Sequence, residues 1–533
     1  MMKKIILFLL AFLSIPDVNA QIIQPNSSGF EVSASLYPWD VHDEGINLML
    51  DNLTSMAGVN SVYLITVMHK EHRPFLGPKG TGPWLYIHNP ARTEWNAEDA
   101  RAYFHPHMNL YGRIKPFLSS YPWLSDTDWL KVVVDAARAR GLKVGAEVSH
   151  TYLPWGEIFK SNPEYQQRDI NNKPVGGPCP NNRDIREYLL ALYGDIATNY
   201  NIDFVQTCMY IFTGSNLEDG TCFCEACQKE AKDMGFDMAA AIPILRDNPS
   251  AQPQLDQWLN FRRATTTKIY KLIVERMRQG NPKIDFRIND LNNRPTGLYL
   301  EDLKTYITSV HMSTHTEQNG YERSDRKSRI ETTRYFIGAD VPIIPGIPVR
   351  IFATPTIAKS SIKISVDNGA KGIALKHYDG ASYSLLRAVL DGLSEAGVKG
   401  FTPHLGIEVE NMTLSGYIPD SCLLEHCVKT TGTGTAKSTF NSTSGVYDVV
   451  VSYIDEKNGQ GTLALSVGGK QRALWKLNED VGCWRRKTIP GVKIKNGDEI
   501  KIVGVANGSE AIRVDYIEFI KGFSEVGVKM NKK

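Results

Sequence analysis

Between residues 30 and 396 two hydrophobic periods alternate along the chain. Short apolar or alternating runs read as strands at Phe30–Asp40, Ser61–Met68, Leu142–His150, Phe204–Tyr210, Ile284–Asp290, Ile307–His315, Val341–Ile347 and Gly372–Tyr378. Segments with helical periodicity lie between them, for example Trp129–Arg140, Ile185–Tyr200, Leu255–Arg278, Ser328–Gly338 and Ala358–Asn368. Strands that alternate with helices pair in parallel, and eight such units fit a closed (β/α)8 barrel, the TIM barrel. Local signals agree. Ser125-x-x-Asp128 before Trp129 has the spacing of a capping box. Thr354-Pro355 reads as an N-cap followed by proline, and Gly141 and Gly369 stand where helices must stop. Two strand-to-helix connections are long, Lys70–Leu124 and Thr151–Asn182. Enlarged loops at one end match a barrel whose C-terminal face carries the site; the alternative is that they pack only as covers.

After about residue 400 the helical period disappears. Short alternating strands are separated by glycine-rich turns such as Asn458-Gly459-Gln460-Gly461 and Lys495-Asn496-Gly497-Asp498. This pattern predicts an antiparallel, all-β sandwich of the jelly-roll kind. The α/β barrel is assigned to 21–402, the sandwich to 403–521 and a loose tail to 522–533. Residues 1–20 read as a signal peptide: Lys3 and Lys4, an apolar run Ile5–Leu13, and Val18-Asn19-Ala20 before the cut. The run is too short to span a bilayer, so export to the periplasm or the extracellular space is expected, without a membrane span. A chain of 533 residues exceeds one ordinary core, which agrees with two domains. Lysine and arginine number 60 against 58 aspartates and glutamates. That balance gives no support for binding nucleic acid or a membrane surface.

Alternation along the barrel strands turns one set of side chains inward. Glu147, Ser149, Arg287, Asn289, His311, Ser313, His315, Lys376 and Tyr378 are expected to face in. Asp40, Asp290, Glu317 and Asp379, at strand ends or loop starts, lie close to the mouth. Such a mixture suits a polyhydroxylated substrate, and Arg287 with Lys376 suits an anionic one. Asp40, His69, Tyr210, Arg287, Asn289, His311, His315, Lys376 and Tyr378 are therefore taken as substrate-binding. Glycoside hydrolysis needs two carboxyl groups, roughly 5–5.5 Å apart for retention or 6.5–9.5 Å for inversion. The catalytic candidates are Glu147, Asp290, Glu317 and Asp379; for Glu147 the alternative is a barrel ion pair with Arg287 or Lys376. The strand-two loop is dense in aromatics: Phe75, Trp84, Tyr86, Trp95, Tyr103, Phe104, Tyr111, Tyr121 and Trp123. These rings either stack on sugars or form a small core for the loop.

Cys222-Phe223-Cys224-Glu225-Ala226-Cys227 is a compact C-x-C-x-x-C, with Cys179 upstream. Four thiolates complete a tetrahedral zinc site of the structural kind. Disulfides are the alternative, although neighbours in C-x-C make strained partners. In the sandwich Cys422 and Cys427 are a further candidate pair, with Cys483 left over.

Two resemblances sharpen this picture. Ile407-Glu408-Val409-Glu410-Asn411, Gly445-Val446-Tyr447-Asp448-Val449-Val450-Val451 and Val514-Asp515-Tyr516-Ile517-Glu518-Phe519 resemble the carbohydrate-binding modules of families 6 and 35. That likeness implies a calcium held near Glu408, Glu410 and Asp515, since clustered oxygens suit that hard cation. It also implies a sugar site lined by Tyr417, Trp475 and Trp484, unless those rings are core. The cysteine spacing resembles the zinc-binding β-galactosidases of glycoside hydrolase family 42. It implies zinc on Cys179, Cys222, Cys224 and Cys227 beside the active site. That family also carries an Asn-Glu pair ending strand four and a glutamate on strand seven. Here Phe204–Tyr210 and Val341–Ile347 hold no carboxylate, and Cys208 stands near the end of strand four. The family's catalytic residues are therefore not carried over.

The function expected is a glycoside hydrolase acting on an extracellular or periplasmic poly- or oligosaccharide. Two alternatives differ in class. One is a glycan-binding protein with a degenerate barrel. The other is a metal-dependent hydrolase or polysaccharide lyase using His69, His105, His107, His311 or His315.

Overall fold

The computed structural model describes residues 29–68, 98–290, 294–312, 325–349, 353–376, 378–423, 425–457 and 459–521. The signal peptide and tail assignments, His69, Phe75, Trp84, Tyr86, Trp95, Ser313, His315 and Glu317 lie outside them. Asp290 is described as part of a strand only.

Eight parallel strands close a barrel: β1 (Glu31–Leu36), β2 (Ser61–Met68), β3 (Lys143–Val148), β4 (Phe204–Thr207), β5 (Asp285–Asp290), β6 (Ser309–Met312), β7 (Ile343–Pro348) and β8 (Gly372–Lys376). Closure is made by β1, which pairs with β2 on one side and β8 on the other. The first and last strands thus become neighbours. Several strands end sooner than the apolar runs suggest. Pro38 is pre-set for a helical first turn, so Pro38–Glu44 is helix and Asp40 lies on it. Helix Trp129–Ala139 is capped by Asp128, whose carboxylate accepts the Lys131 N–H at 3.0 Å. Ser125 instead ends a short helix, Pro122–Ser125. Thr354 caps Pro355–Asp367 as expected. Gly141 and Gly369 take positive φ, 69° and 81°, after the helices they stop.

The antiparallel part follows. One sheet holds Ile418–Cys422, Glu425–Thr430, Ile512–Lys521, Gly445–Asp455 and Cys483–Ile494, with Gly406–Glu408 added beside Ile512–Lys521. The other holds Thr413–Ser415, Thr433–Thr439, Glu499–Val505, Thr462–Val467 and Lys470–Lys476. Alternate side chains from both sheets fill the space between them: Val428, Val449, Leu463, Leu465, Ile500, Ile502 and Val514 are fully buried.

The two parts share buried surface. Cys427, Ile454 and Trp484 pack into the same apolar cluster as the barrel residues. The Trp484 ring lies 6.4 Å from that of Tyr383, on helix Tyr383–Glu395. Arg486 reaches across to Asn52 at 3.3 Å and Ser55 at 2.8 Å on the barrel's helix Ile46–Ala57, and it is ion-paired with Glu518.

Candidate active site at the barrel mouth

The lumen is layered, and its layers have different chemistry. At the N-terminal end Arg287 makes a bidentate pair with Glu31, at 2.5 and 3.0 Å. Its guanidinium carbon lies 3.5 Å from the ring centroid of Phe204. Burial alone pushes the Glu31 carboxyl up, but the Arg287 charge and hydrogen bonds bring it below its usual value. Arg287 therefore faces inward yet turns to the barrel floor, away from the mouth. The reason is reach: a long side chain inside a barrel can point to either end, and Glu31 holds it at one.

A polar layer lies above the floor. Gln206 donates to Glu147 at 2.7 Å and to Asn289 at 3.3 Å. Lys376 crosses from β8, donating to Asn289 at 3.2 Å with Glu147 at 3.8 Å. These four residues converge from β3, β4, β5 and β8, so the inward assignment of Glu147, Asn289 and Lys376 places them in one network. Burial would lower the Lys376 ammonium, but Glu147 and then Tyr63 hold it above its usual range. His311 sits in the same lumen, fully buried, its ring 6.3 Å from Tyr63. Neither ring nitrogen has a hydrogen-bond partner among the described residues. Burial, and then Arg287 and Lys376, push the imidazole well below its usual value. His311 is thus a buried lumen residue, level with Asn289 in the strand register.

Two further carboxylates are buried near the seam where the barrel closes. Asp40 follows β1 and Asp379 follows β8, in the turn Tyr378–Gly380. Asp40 accepts the Tyr37 N–H at 2.7 Å through one oxygen. Burial first, and the neighbouring Asp379 charge second, drive the Asp40 carboxyl well above its usual range. Tyr378 departs from the expected direction. The chain leaves the sheet at Lys376, so strand alternation no longer applies. The Tyr378 hydroxyl donates to Glu44 at 2.5 Å, and Asn52 donates to it at 3.2 Å, both on helices outside the barrel.

The rim adds Tyr210, 41% exposed just beyond β4, and Cys208 with His150, Sγ to Nδ1 3.8 Å. Burial, with Glu147 adding to it, pushes the Cys208 thiol up to about 12, which leaves it a poor nucleophile. Three of the described aromatics of the strand-two loop form a small core, whereas Tyr121 is exposed. Tyr103, Phe104 and Tyr111 are buried, with Tyr103 edge-on to Trp39 and Phe104 edge-on to Tyr200. Sequence reading missed Asp195 as their anchor; it accepts from the His107 N–H at 2.8 Å and from the Tyr111 hydroxyl at 2.9 Å. It missed the buried Arg262 as well, which donates to the carbonyls of Thr213, Gly214 and Pro295 behind the mouth. Neither residue stands in a motif.

The four cysteines come together. Sγ of Cys179 lies 3.3 Å from that of Cys224 and 3.5 Å from that of Cys227, and all four sulfurs fall within 4.8 Å of one another. A tetrahedron of thiolates around zinc has edges of roughly 3.8 Å. The Arg168 N–H points to Cys222 at 3.4 Å and the Asn181 amide to Cys227 at 3.4 Å, as donors to thiolates do. The cluster is compatible with zinc, and it ties the loop after β3 to the loop after β4. In the sandwich Glu408, Glu410 and Asp515 also converge within 4.8 Å, a donor set that suits a hard cation. Asp515 lies on the closing strand, whereas Glu410 sits in a single helical turn, Val409–Asn411, after the opening one.

The aromatics expected to bind sugar in the sandwich do not line a surface. Tyr417, Trp475 and Trp484 are all buried. Tyr417 lies over Gly434 and Gly504, where an added Cβ would come within 2.6 and 2.1 Å of it. Trp475 packs on Tyr453 inside the sandwich, and Trp484 faces the barrel. Their apolar area draws them inward, where glycines leave room for a ring.

No family model matches the chain. It is 34% identical over 136 residues to an α-glucuronidase of Hypocrea jecorina, covering 22% of this chain and 16% of that protein. It is 37% identical over 133 residues to α-glucuronidase A of Aspergillus tubingensis, covering 21% and 16%. The match thus spans about a sixth of the length of these curated relatives. Among solved structures, the catalytic domain of a Paenibacillus polymyxa β-amylase aligns with TM-score 0.44 and 12% identity, covering 70% of this chain and 99% of that one. The CBM36-1 domain of a xylanase from the hindgut metagenome of Trinervitermes trinervoides aligns with TM-score 0.19 and 18% identity, covering 24% and 99%. The chain is a closed eight-stranded barrel followed by antiparallel sheets, with a limited stretch of α-glucuronidase-like sequence.

Proposed function

We propose that the chain is a glycoside hydrolase that cleaves a poly- or oligosaccharide with carboxylates at the C-terminal end of its barrel. The observation that carries this reading is the presence there of carboxyl groups in opposite environments. Glu147 accepts from Gln206 and faces the Lys376 ammonium, which orients it and balances its charge. That suits a nucleophile or general base. Asp40 is buried beside Asp379, which favours the protonated form and suits a general acid. Lys376 at this level and the α-glucuronidase-like stretch support a uronate-bearing glycan as the substrate class.

The test uses the whole chain with Glu147→Gln, Asp40→Asn and Asp379→Asn, each assayed for sugar release from uronate-bearing and neutral oligosaccharides. At least two variants lose turnover by about 10²-fold or more while far-UV circular dichroism stays unchanged. Full activity in all three rejects the assignment. Binding by the unaltered chain without product release over long incubation supports a glycan-binding barrel instead. Asp40→Asn carries a second readout. A carboxyl whose folded pKa lies above its ordinary 3.8 stabilises below that value and loses the contribution as pH rises through the folded value. The amide escapes that loss, so Asp40→Asn melts higher than the unaltered chain at pH 7.

A further inference from the structure

The carboxylates gathered by the opening and closing strands of the sandwich are also met by the barrel. Arg387 projects from helix Tyr383–Glu395 and is almost fully buried. One guanidinium nitrogen lies 3.3 and 3.5 Å from the two oxygens of Glu408, and another lies 3.4 Å from Asp515. The guanidinium carbon lies 3.9 Å from the ring centroid of Tyr516. The first turn of the same helix adds a second tie, the Ser384 N–H donating to Glu425 at 2.9 Å. A hard divalent cation would draw on Glu408, Glu410 and Asp515. Two of those three are in contact with the guanidinium. Two cations at such short range repel strongly where little water screens them.

We infer that Arg387 is the built-in counter-cation of this cluster, so that docking of the barrel's last helix and divalent-cation binding oppose one another at Glu408 and Asp515. The sandwich is then fastened to the barrel by a residue of the chain itself, and its stability does not depend on calcium. Arg486 supplies a control. It crosses the same interface but touches Glu518, Asn52 and Ser55, none of them a cation donor here.

The experiment measures thermal unfolding and calorimetric calcium titration on the whole chain, with Arg387→Met, Arg387→Lys and Arg486→Met. In buffer freed of calcium without added chelator, so that any metal on the four cysteines is left in place, the unaltered chain and Arg387→Lys melt at the same temperature with and without calcium. Arg387→Met melts lower without calcium, is restored by calcium, and binds calcium at least about tenfold more tightly than the unaltered chain. Arg486→Met melts lower without becoming calcium-dependent. The inference is overturned if the unaltered chain needs calcium, if Arg387→Met gains no affinity for it, or if Arg486→Met becomes calcium-dependent too. The last result would trace the effect to a loosened interface rather than to charge. If Arg387→Met does not fold, Arg387→Lys still decides: a calcium-dependent Arg387→Lys rejects the inference, and indifference supports it.

Discussion

Gly145 shows how one residue fixes the barrel interior. It pairs in register with Phe204, and a Cβ added there would stand 2.4 Å from that ring. The missing side chain lets Phe204 fill the lumen, where Arg287 stacks on it and reaches Glu31. Gly145→Ala is expected to cost about 1–3 kcal/mol in urea unfolding, and Phe204→Leu in the same chain recovers part of it. His311 gives a pH signature at the same scale. Its folded pKa lies below the ordinary 6.5, so its contribution to stability is complete above pH 6.5 and is lost as pH falls from there toward the folded value. Stability should therefore decline between pH 6.5 and 5 by at most about 1.4 kcal/mol per unit from this residue. His311→Leu removes that part of the slope, which urea titrations at several pH values measure. An unchanged slope would mean that His311 is hydrated in the lumen.

At the scale of elements, the loops carry what the strands do not. The cysteine cluster joins Cys179, which follows the hairpin Gln166–Arg168 and Pro174–Pro178, to Cys224 at the start of helix Glu225–Asp233. Gln167 adds hydrogen bonds to the Pro178 and Ile211 carbonyls, both at 2.9 Å. A metal here would clamp two mouth loops without offering an open coordination position, so its role would be structural. The chain purified under reducing conditions should contain about one zinc per molecule by elemental analysis. Removing it with a strong chelator should lower the melting temperature. Disulfides among these four cysteines by mass spectrometry, with no zinc, would reject the site. The C-x-C-x-x-C spacing made this cluster legible from sequence. The Asp195 anchor was not, because it joins a loop to a helix far along the chain and has no local pattern.

For the whole molecule, the eight strands and the change of texture near residue 400 were legible because periodicity reports which faces are buried. Several strands end before their apolar runs do, since apolar residues continue past the last ladder hydrogen bond. The place of the sandwich aromatics is not legible for a related reason: composition counts rings but does not say which side of a sheet they occupy. The structure places Tyr417, Trp475 and Trp484 inside, and it joins the sandwich to the barrel through Trp484, Arg387 and Arg486. A sandwich so fastened shares its buried surface with the barrel instead of hanging on a free tether.

By itself the sequence determined the order of elements, the closed barrel, the antiparallel sheets and the convergence of four cysteines. Each rests on local periodicity or short spacing, which the chain carries wherever it folds. Only the tertiary structure decided the chemistry of the lumen. Closure of β1 on β8 sets Asp40 beside Asp379, and convergence across the barrel sets Lys376 against Glu147. The same closure leaves Arg287 at the floor with Glu31. Those pairings depend on distance and on the direction of long side chains in three dimensions, and no periodicity along the chain encodes either.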